Sequence, residues 1–242
     1  MDYTTHVNWP FKRPNFWKTW GILSCLAFTL FGPFCYAAEL TKSVAKNGLQ
    51  EAKFPEFSFK NCCSDNILLW LCYVSIGVLP ALLGVVFVLC GWQSLGRLFC
   101  SLATLSYLVY FPAFLICASS DNDHPSIYNT FLNLPFSGLS KYYTLVIIYL
   151  LWQGVVGALT FVPAFFVGVG IAALLFKNVM VAAIFIGIFV LLLLTIVLIA
   201  HPYIFMAMAA LVGDYMRNYK DELFEKGIVD EKTFLMAGSL AE

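Results

Sequence analysis

Long apolar blocks, separated by short polar stretches, dominate the chain. The most apolar block, residues 180–200, contains no charged side chain and no side-chain amide. At ~1.5 Å per residue, a helix of this length matches the thickness of a bilayer's hydrocarbon core. Within lipid, only helices and closed barrels satisfy their own backbone hydrogen bonds. The pattern therefore predicts a transmembrane helix here and the lipid bilayer as the surroundings of the chain.

The remaining blocks allow between four and six crossings. They cover residues 16–38, 67–90, 95–117 and 143–176, and a shorter block follows at 202–213. The predicted fold is all-α: a polytopic transmembrane helical bundle with four full crossings. Residues 1–228 form a single membrane domain, and residues 229–242 form a polar C-terminal tail. The pattern leaves open whether residues 142–176 are one kinked helix or two.

The first apolar block is interrupted early. Gly32-Pro33 follows an apolar run of about 15 residues, which is short for a span. Basic side chains lie on both sides of the block, at Lys12 and Lys18 before it and at Lys42 after it. Positive charge at both ends suits a re-entrant or broken segment better than a crossing. Whether residues 16–38 cross or re-enter stays open.

Two polar stretches have the spacing of amphipathic helices. In residues 36–48 the apolar side chains Ala37, Leu40 and Val44 share one face, and Asn47-Gly48 is typical of a helix C-terminus. Residues 214–227 have a similar pattern. Both are predicted to be helices at the membrane interface. A solvated loop is the alternative for the first.

Prolines recur at similar intervals along the chain. Two sets of three are followed by a single proline: Pro33, Pro55 and Pro80, then Pro112, Pro135 and Pro163, then Pro202. This spacing predicts a parallel internal repeat with units 19–95 and 98–178 and a truncated third unit from 202. Chance is the alternative, since proline is common in membrane helices. Kinks are predicted at Pro33, Pro80, Pro112, Pro163 and Pro202.

The position of the charges decides between the arrangements. The net charge is zero, so nothing indicates a nucleic-acid partner. Four crossings place two of the fourteen basic residues, Arg97 and Lys177, on one side and twelve on the other, whereas six crossings divide them eight to six. The positive-inside rule favours four crossings, with the basic segments and the C-terminal tail in the cytoplasm. The twelve are Lys12, Arg13, Lys18, Lys42, Lys46, Lys53, Lys60, Lys141, Arg217, Lys220, Lys226 and Lys232.

Most of the eight cysteines lie inside apolar blocks, where cysteine acts as a small apolar residue. Their spacing fits neither a zinc site nor a disulfide framework. Cys62-Cys63, beside the second block, is either a plain interfacial pair or a site of acylation or oxidation.

The opening residues 10–18, Pro-Phe-Lys-Arg-Pro-Asn-Phe-Trp-Lys, carry a family resemblance. The chain resembles a prokaryotic family of multi-pass membrane proteins that is catalogued as a domain of unknown function. Gly32-Pro33, residues 36–40 and residues 202–215 stand where that family has its broken first segment, its amphipathic stretch and its close. This chain has lysine where the family prefers arginine. The resemblance implies the cytoplasmic (inner) membrane of a prokaryote and implies no activity.

Polar groups within the apolar blocks are few. No block carries an acidic or basic side chain at mid-depth, which argues against ion-coupled transport and intramembrane hydrolysis. Gln153 is the best mid-membrane polar group and is predicted to hydrogen-bond another helix or to line a pore. His201 is predicted to lie near an interface and to bond Tyr203 or a lipid headgroup, with a functional role as the alternative.

No catalytic, cofactor or metal site is predicted. Residues 121–125, Asp-Asn-Asp-His-Pro, offer metal ligands but read as an ordinary turn. Gly168-x-Gly170 lacks the third glycine and the strand of a dinucleotide site. Small residues at helical spacing predict close helix packing instead, at Gly77, Ala81, Gly84, Ala183 and Gly187.

The sequence favours a non-enzymatic membrane scaffold or accessory subunit, with a membrane-protein partner or a second copy of the chain. The alternative is a small channel or permease for neutral or apolar solutes, and a membrane enzyme ranks third. A cavity that reaches Gln153 favours transport, whereas a continuous dry core excludes it.

Overall fold

A computed structural model describes residues 3–26, 29, 31–56, 59–120, 124–175 and 177–234. Within these ranges the secondary structure is helical, with short 3-10 turns and one π turn. The helices are α1 (Tyr3–Asn8), α2 (Phe16–Leu26), α3 (Gly32–Glu51), α4 (Phe59–Leu89), α5 (Gln93–Ser119), α6 (His124–Asn133), α7 (Tyr142–Leu175), α8 (Val179–Thr195), α9 (His201–Asn218) and α10 (Lys220–Glu225).

Four helical stretches are long and apolar enough to cross a membrane. They are Asn66–Leu89, Gln93–Ser119, Tyr142–Leu159 and Val179–Asn218. The prediction of an all-α fold with four helices of crossing length is thereby confirmed. Residues 142–175 form one helix that contains Pro163, which answers the question left open by the sequence.

These stretches form two hairpins. Helix α4 packs along α5, and α7 packs along α8. Each tip turns through one residue in the left-handed region, Gly91 (φ 85°) and Lys177 (φ 60°). Apolar side chains cover the outside of both hairpins, and Leu89 and Leu151 are 80% and 62% exposed. An apolar surface of this extent is unusual for a soluble protein and suits contact with lipid.

Small residues let α4 and α5 approach each other closely. A Cβ added at Gly96 would lie 2.7 Å from the Gly84 carbonyl oxygen, so the two backbones are in direct contact. At Gly77 an added Cβ would fall inside the ring of Tyr107. Ala81 is half-buried on the same helix. This is the packing that small residues allow between membrane helices.

The α7–α8 contact differs from the sequence prediction. Ala183 and Gly187 are exposed, and an added Cβ at Gly187 meets nothing within 4 Å. The close approach uses Gly170 and Ala182 instead, since a Cβ at Gly170 would lie 3.4 Å from the Ala182 carbonyl oxygen. A shift of one residue turns a helix surface by about 100°, which moves the predicted pair off the interface.

The best-packed part of the protein lies where the hairpins meet, and we call it the base. It comprises α3, α9, residues 111–119 of α5 and residues 142–149 of α7, most of whose side chains are buried. Helices α3 and α9 run in the same direction, because Phe34 packs on Phe205 at one end and the Arg217 guanidinium donates to the Lys46 carbonyl at the other.

Burial of α3 and α9 corrects the interfacial predictions. Residues 36–48 lie inside the base, where Ala37, Leu40 and Val44 are at most 1% exposed. Residues 204–213, which follow the apolar block at 180–200, are buried as well, so this part of α9 also belongs to the core. The helical periodicity was read correctly, but the apolar face of α3 meets a second helix instead of lipid.

The prolines take two kinds of position. Pro33 lies in the first turn of α3, where the missing N–H has no helical partner to lose. Pro202 lies in the first turn of α9 directly after the π turn, so its missing N–H interrupts the helical hydrogen bonding there. Pro33 therefore starts a helix and does not kink one. Pro80, Pro112 and Pro163 lie inside α4, α5 and α7. The π turn Ile196–Ala200 joins α8 to α9, so helical structure runs on through Pro202.

The N-terminal segment is a broken helical hairpin. Helix α2 is followed by a turn at Thr29, whose side-chain oxygen accepts from the Gly32 N–H at 3.1 Å. Helix α3 then runs back, and the Trp9 Nε1–H donates to the Leu49 carbonyl at 2.6 Å, which closes the two ends. Tyr36, near the start of α3, donates to the Pro55 carbonyl. Burial raises the pKa of Tyr36 to about 12, so this hydroxyl stays protonated.

Helix α1 lies along α9 and is held there by a hydrogen bond between His6 and Asp214. The His6 Nε2 is 3.0 Å from the Asp214 Oδ2, and the His6 side chain is 3% exposed. The sequence placed Asp214 at a block edge and gave it no partner. The pair fixes the start of the chain to the last long helix.

Some predicted features fall partly outside the described residues. These are Asp121, Asn122, Asp123, residues 235–242 of the tail, and the side chains of Cys62, Cys63 and His124. The described part of the tail packs on the base, where Val229 and Thr233 are buried.

Candidate functional site

A cavity of about 700 Å³ lies between the two hairpins, directly above the base. Residues from α2, α3, α4, α5, α7 and α9 line it, so the N-terminal hairpin α2–α3 contributes to its wall together with the two membrane hairpins. Cavities of ~300–1,000 Å³ are the usual size for small-molecule sites.

The two polar groups singled out by the sequence both line this cavity. Gln153 lies on α7 and His201 on the first turn of α9, 48 positions later in the chain. Gln153 is hydrogen-bonded to the hydroxyl of Tyr149, one helical turn earlier. Pro33 and Pro202 also line the cavity, beside His201.

The π turn sets the position of His201. It adds one residue to the helical repeat just before His201, which rotates the following residues relative to α8. Ser24 of α2 donates to the Leu198 carbonyl within this turn at 2.7 Å. Helix α2 therefore stabilises the irregular backbone that directly precedes His201.

Most of the hydroxyl protons around the cavity are already donated. The Tyr73 and Tyr107 hydroxyls donate to the carbonyls of Tyr107 and Val74, at 3.3 and 3.0 Å. The Thr104 hydroxyl donates to the Cys100 carbonyl at 3.1 Å, one turn back on α5. These groups keep acceptor lone pairs but offer no proton to a ligand.

His201 differs from these groups. Its Nδ1 is buried and has no hydrogen-bond partner among the described residues. The predicted bond to Tyr203 does not form, because the Tyr203 hydroxyl donates to the Val7 carbonyl. A buried polar atom without a partner costs free energy, and this one is also closed to solvent, so His201 lines the cavity through its other atoms.

The cavity lining carries no acidic residue, lysine or arginine among the described residues. An ion placed there would lose its hydration without gaining an opposite charge, which is strongly unfavourable. The lining therefore suits an uncharged molecule.

Phenylalanine rings close the cavity toward the base. Phe34, Phe111, Phe114 and Phe205 pack edge to face with centroids 5.1–6.0 Å apart, and we call these four rings the floor. Phe111 also stacks on Tyr149 at 4.4 Å. Phe111 and Phe114 are fully buried, so the floor separates the cavity from the core below it.

The opposite end of the cavity opens between the hairpins. Four residues of the lining are exposed: Thr29 in the turn after α2, Thr104 on α5, and Leu150 and Gly154 on α7; we call the last three the mouth. The mouth lies within two stretches, Gln93–Ser119 and Tyr142–Leu159, that are apolar and long enough to cross a membrane.

Sequence reasoning missed the tyrosines of the site. Tyr73, Tyr107 and Tyr149 lie in three different helices, and all three line the cavity. Tyrosine in membrane helices is usually an interface anchor, so its presence alone does not mark a site. The nearest signal was the helical spacing of Tyr149 and Gln153, which places both on one face of α7.

Within the described ranges, no three His, Cys, Asp or Glu side chains are grouped closely enough to hold a metal ion. Comparison of the chain with protein-family models, with curated proteins and with solved structures finds no match. The family resemblance noted in the sequence therefore stays a prediction.

Proposed function

We propose that the protein is a small membrane permease for neutral or apolar solutes and that the cavity is its solute site. The observation that carries this proposal is the cavity itself, which reaches Gln153 and His201 and is lined by uncharged groups. A pure scaffold needs only a continuously packed core, and the cavity interrupts that packing.

The scaffold hypothesis has different support. It draws on the lack of mid-membrane charge and on the tight glycine contacts of the hairpins, and neither feature requires a cavity. A cavity of about 700 Å³ with the Gln153 amide in its wall gives a permease a solute site, and a scaffold has no use for it. We therefore rank the permease first and the non-enzymatic scaffold second.

Replacement of Gln153 by leucine is expected to slow solute movement. The protein is reconstituted into vesicles that contain a neutral glycolipid with an NBD fluorophore, and dithionite bleaches the label in the outer leaflet. Loss of the protected fluorescence then reports movement across the bilayer. One hydrogen bond is worth about 0.5–1.5 kcal/mol, so the variant should be about two- to tenfold slower than the parent.

Gln93→Leu is the matched control, because Gln93 is exposed at the tip of the α4–α5 hairpin and lies outside the cavity. It should move the glycolipid at the parental rate, and a phosphatidylserine with the same fluorophore should move more slowly than the glycolipid. Equal rates of glycolipid movement with and without the protein would contradict the permease.

We also propose that the base faces the cytoplasm of a prokaryotic cell. Both hairpins start and end at the base, and the two tips carry Arg97 and Lys177, whereas the other twelve basic residues belong to segments on the base side. The positive-inside rule then orients the base inward.

Cysteine labelling of intact cells checks this orientation. In a chain whose native cysteines are replaced, Gln93→Cys at a tip should react with an impermeant maleimide, and Gln50→Cys in the base should react only after the membrane is opened. Reaction of Gln50→Cys in intact cells would reverse the assignment.

A further inference from the structure

We infer that the ligand of the cavity is an uncharged, lipid-soluble molecule with a hydroxyl group, such as a long-chain alcohol, and that it enters sideways from the hydrocarbon core of the bilayer. This inference rests on the proposed function, since it uses the same cavity. It adds a substrate class and a route.

The surroundings of the mouth define the route. On α5, exposed Leu102 and Leu105 flank Thr104, and on α7, exposed Leu151 and Val155 flank Gly154. All four flanking side chains are apolar and between 44% and 62% exposed, which is the surface that lipid tails cover. A molecule that reaches the mouth must therefore already be dissolved in the hydrocarbon.

The far end of the cavity is closed to water-borne ligands. The floor lies between the cavity and the base, and its rings Phe111 and Phe114 are 0% exposed. Below them the α3–α9 contact is so tight that a Cβ on Gly213 would lie 2.7 Å from the Thr41 carbonyl oxygen. A ligand from the aqueous side of the base would have to displace this packing.

The polar group that keeps both donors and acceptors defines the ligand's functional group. The hydroxyls of Thr29, Tyr73, Thr104 and Tyr107 donate to backbone carbonyls, and the Tyr149 hydroxyl is bonded to Gln153, so the remaining hydrogen-bonding capacity lies with the Gln153 amide. A side-chain amide has two N–H donors and a carbonyl acceptor, and one bond to Tyr149 leaves both kinds of group available. A hydroxyl group engages both kinds because it donates and accepts, whereas a carbonyl or an ether only accepts.

The absence of charge in the lining excludes the ionised relatives of such a molecule. A fatty acid or a phospholipid would bring an anion to a site where no cation lies among the described lining residues. The volume of about 700 Å³ accommodates the hydroxyl and the adjacent part of a long chain, and the open side between the hairpins lets the rest of the chain extend into lipid.

Photolabelling tests the assignment. The full chain in vesicles is irradiated with a hexadecanol that carries a diazirine in its chain, and peptide mapping locates the adducts. We expect adducts on the walls of the mouth, in residues 102–108 and 150–155, and competition by unlabelled hexadecanol. The methyl ether of hexadecanol, palmitate and hexadecane should compete about two- to tenfold less well, the value of one hydrogen bond.

Variants give the second arm. Gln153→Leu should weaken competition by hexadecanol by about two- to tenfold, and Gln93→Leu should leave it unchanged. The competition series on the parent chain needs no variant, so a folding defect in either variant does not prevent a decision. Equal competition by the alcohol, the ether and hexadecane would overturn the hydroxyl assignment. Adducts spread evenly over the exposed faces of α4 and α8 would overturn the site.

The two proposals fail in different ways. Labelling measures binding without movement across the membrane. Hydroxyl-dependent labelling of the cavity, together with no accelerated movement of the glycolipid, would overturn the permease and support the ligand. Accelerated movement with hydroxyl-independent labelling would support the permease and overturn the ligand.

Discussion

Gly213→Val is expected to disrupt the base and to lower the stability of the protein strongly. A Cβ at Gly213 would lie 2.6 Å from the Val44 Cβ and 2.7 Å from the Thr41 carbonyl oxygen. The carbonyl belongs to helix backbone and cannot rotate away, so α3 and α9 must separate. Overpacking typically costs ~1–3 kcal/mol, and contact with backbone should place this variant at the upper end or above. The midpoint of thermal unfolding in detergent measures the effect.

Gly187→Val is the matched control, because it adds the same side chain to α8, where a Cβ meets nothing within 4 Å. Its midpoint should stay close to that of the parent. Similar midpoints for the two variants would contradict the close contact of α3 and α9.

Phe111→Ala is also expected to destabilise the protein strongly. Phe111 is fully buried, stacks on Tyr149 at 4.4 Å, and contacts the rings of Phe34 and Phe205. Removing its ring joins the cavity to a new void in the floor, and truncation of a buried phenylalanine costs roughly 3–5 kcal/mol. Denaturant titration in detergent, followed by circular dichroism, measures this loss.

Phe165→Ala provides the comparison, since Phe165 lies on α7 and is 68% exposed. It loses the same ring from a lipid-facing position and should stay within about 0.5 kcal/mol of the parent. A loss of equal size in both variants would show that Phe111 is not part of a packed floor.

The sequence predicted the helical class and the broken first segment for sound physical reasons. Gly32-Pro33 interrupts the apolar run, and proline at the start of a helix marks the turn between α2 and α3. The long block at 142–176 was ambiguous because Pro163 is compatible with either a break or a continuous helix. Only the surrounding packing decides between them.

The burial of α3 could not be predicted, because an amphipathic pattern states which face is apolar but not what covers that face. The apolar side chains Ala37 and Leu40 are compatible either with lipid or with a helix that carries small side chains. Helix α9 is such a helix, with alanine at positions 207, 209 and 210. The internal repeat stays a prediction.

The cavity was only half predictable. Gln153 and His201 were each notable as polar groups in apolar surroundings, but no local pattern joins positions that lie on separate helices. Their meeting depends on the π turn before His201, and π turns have no sequence signature of their own. The missed partner of Asp214 has the same cause, since His6 lies 208 positions away.

The pairing of α3 with α9 also sets an order of assembly. Arg217 and Lys46, which join the two helices, are 171 positions apart in the chain, and both hairpins are synthesised between them. Each hairpin is a local structure that forms without the other, whereas contacts of such long range form late. During biogenesis the apolar face of α3 must wait uncovered until α9 arrives. The base is therefore the last part to close and the part most dependent on membrane-insertion factors that shield nascent helices.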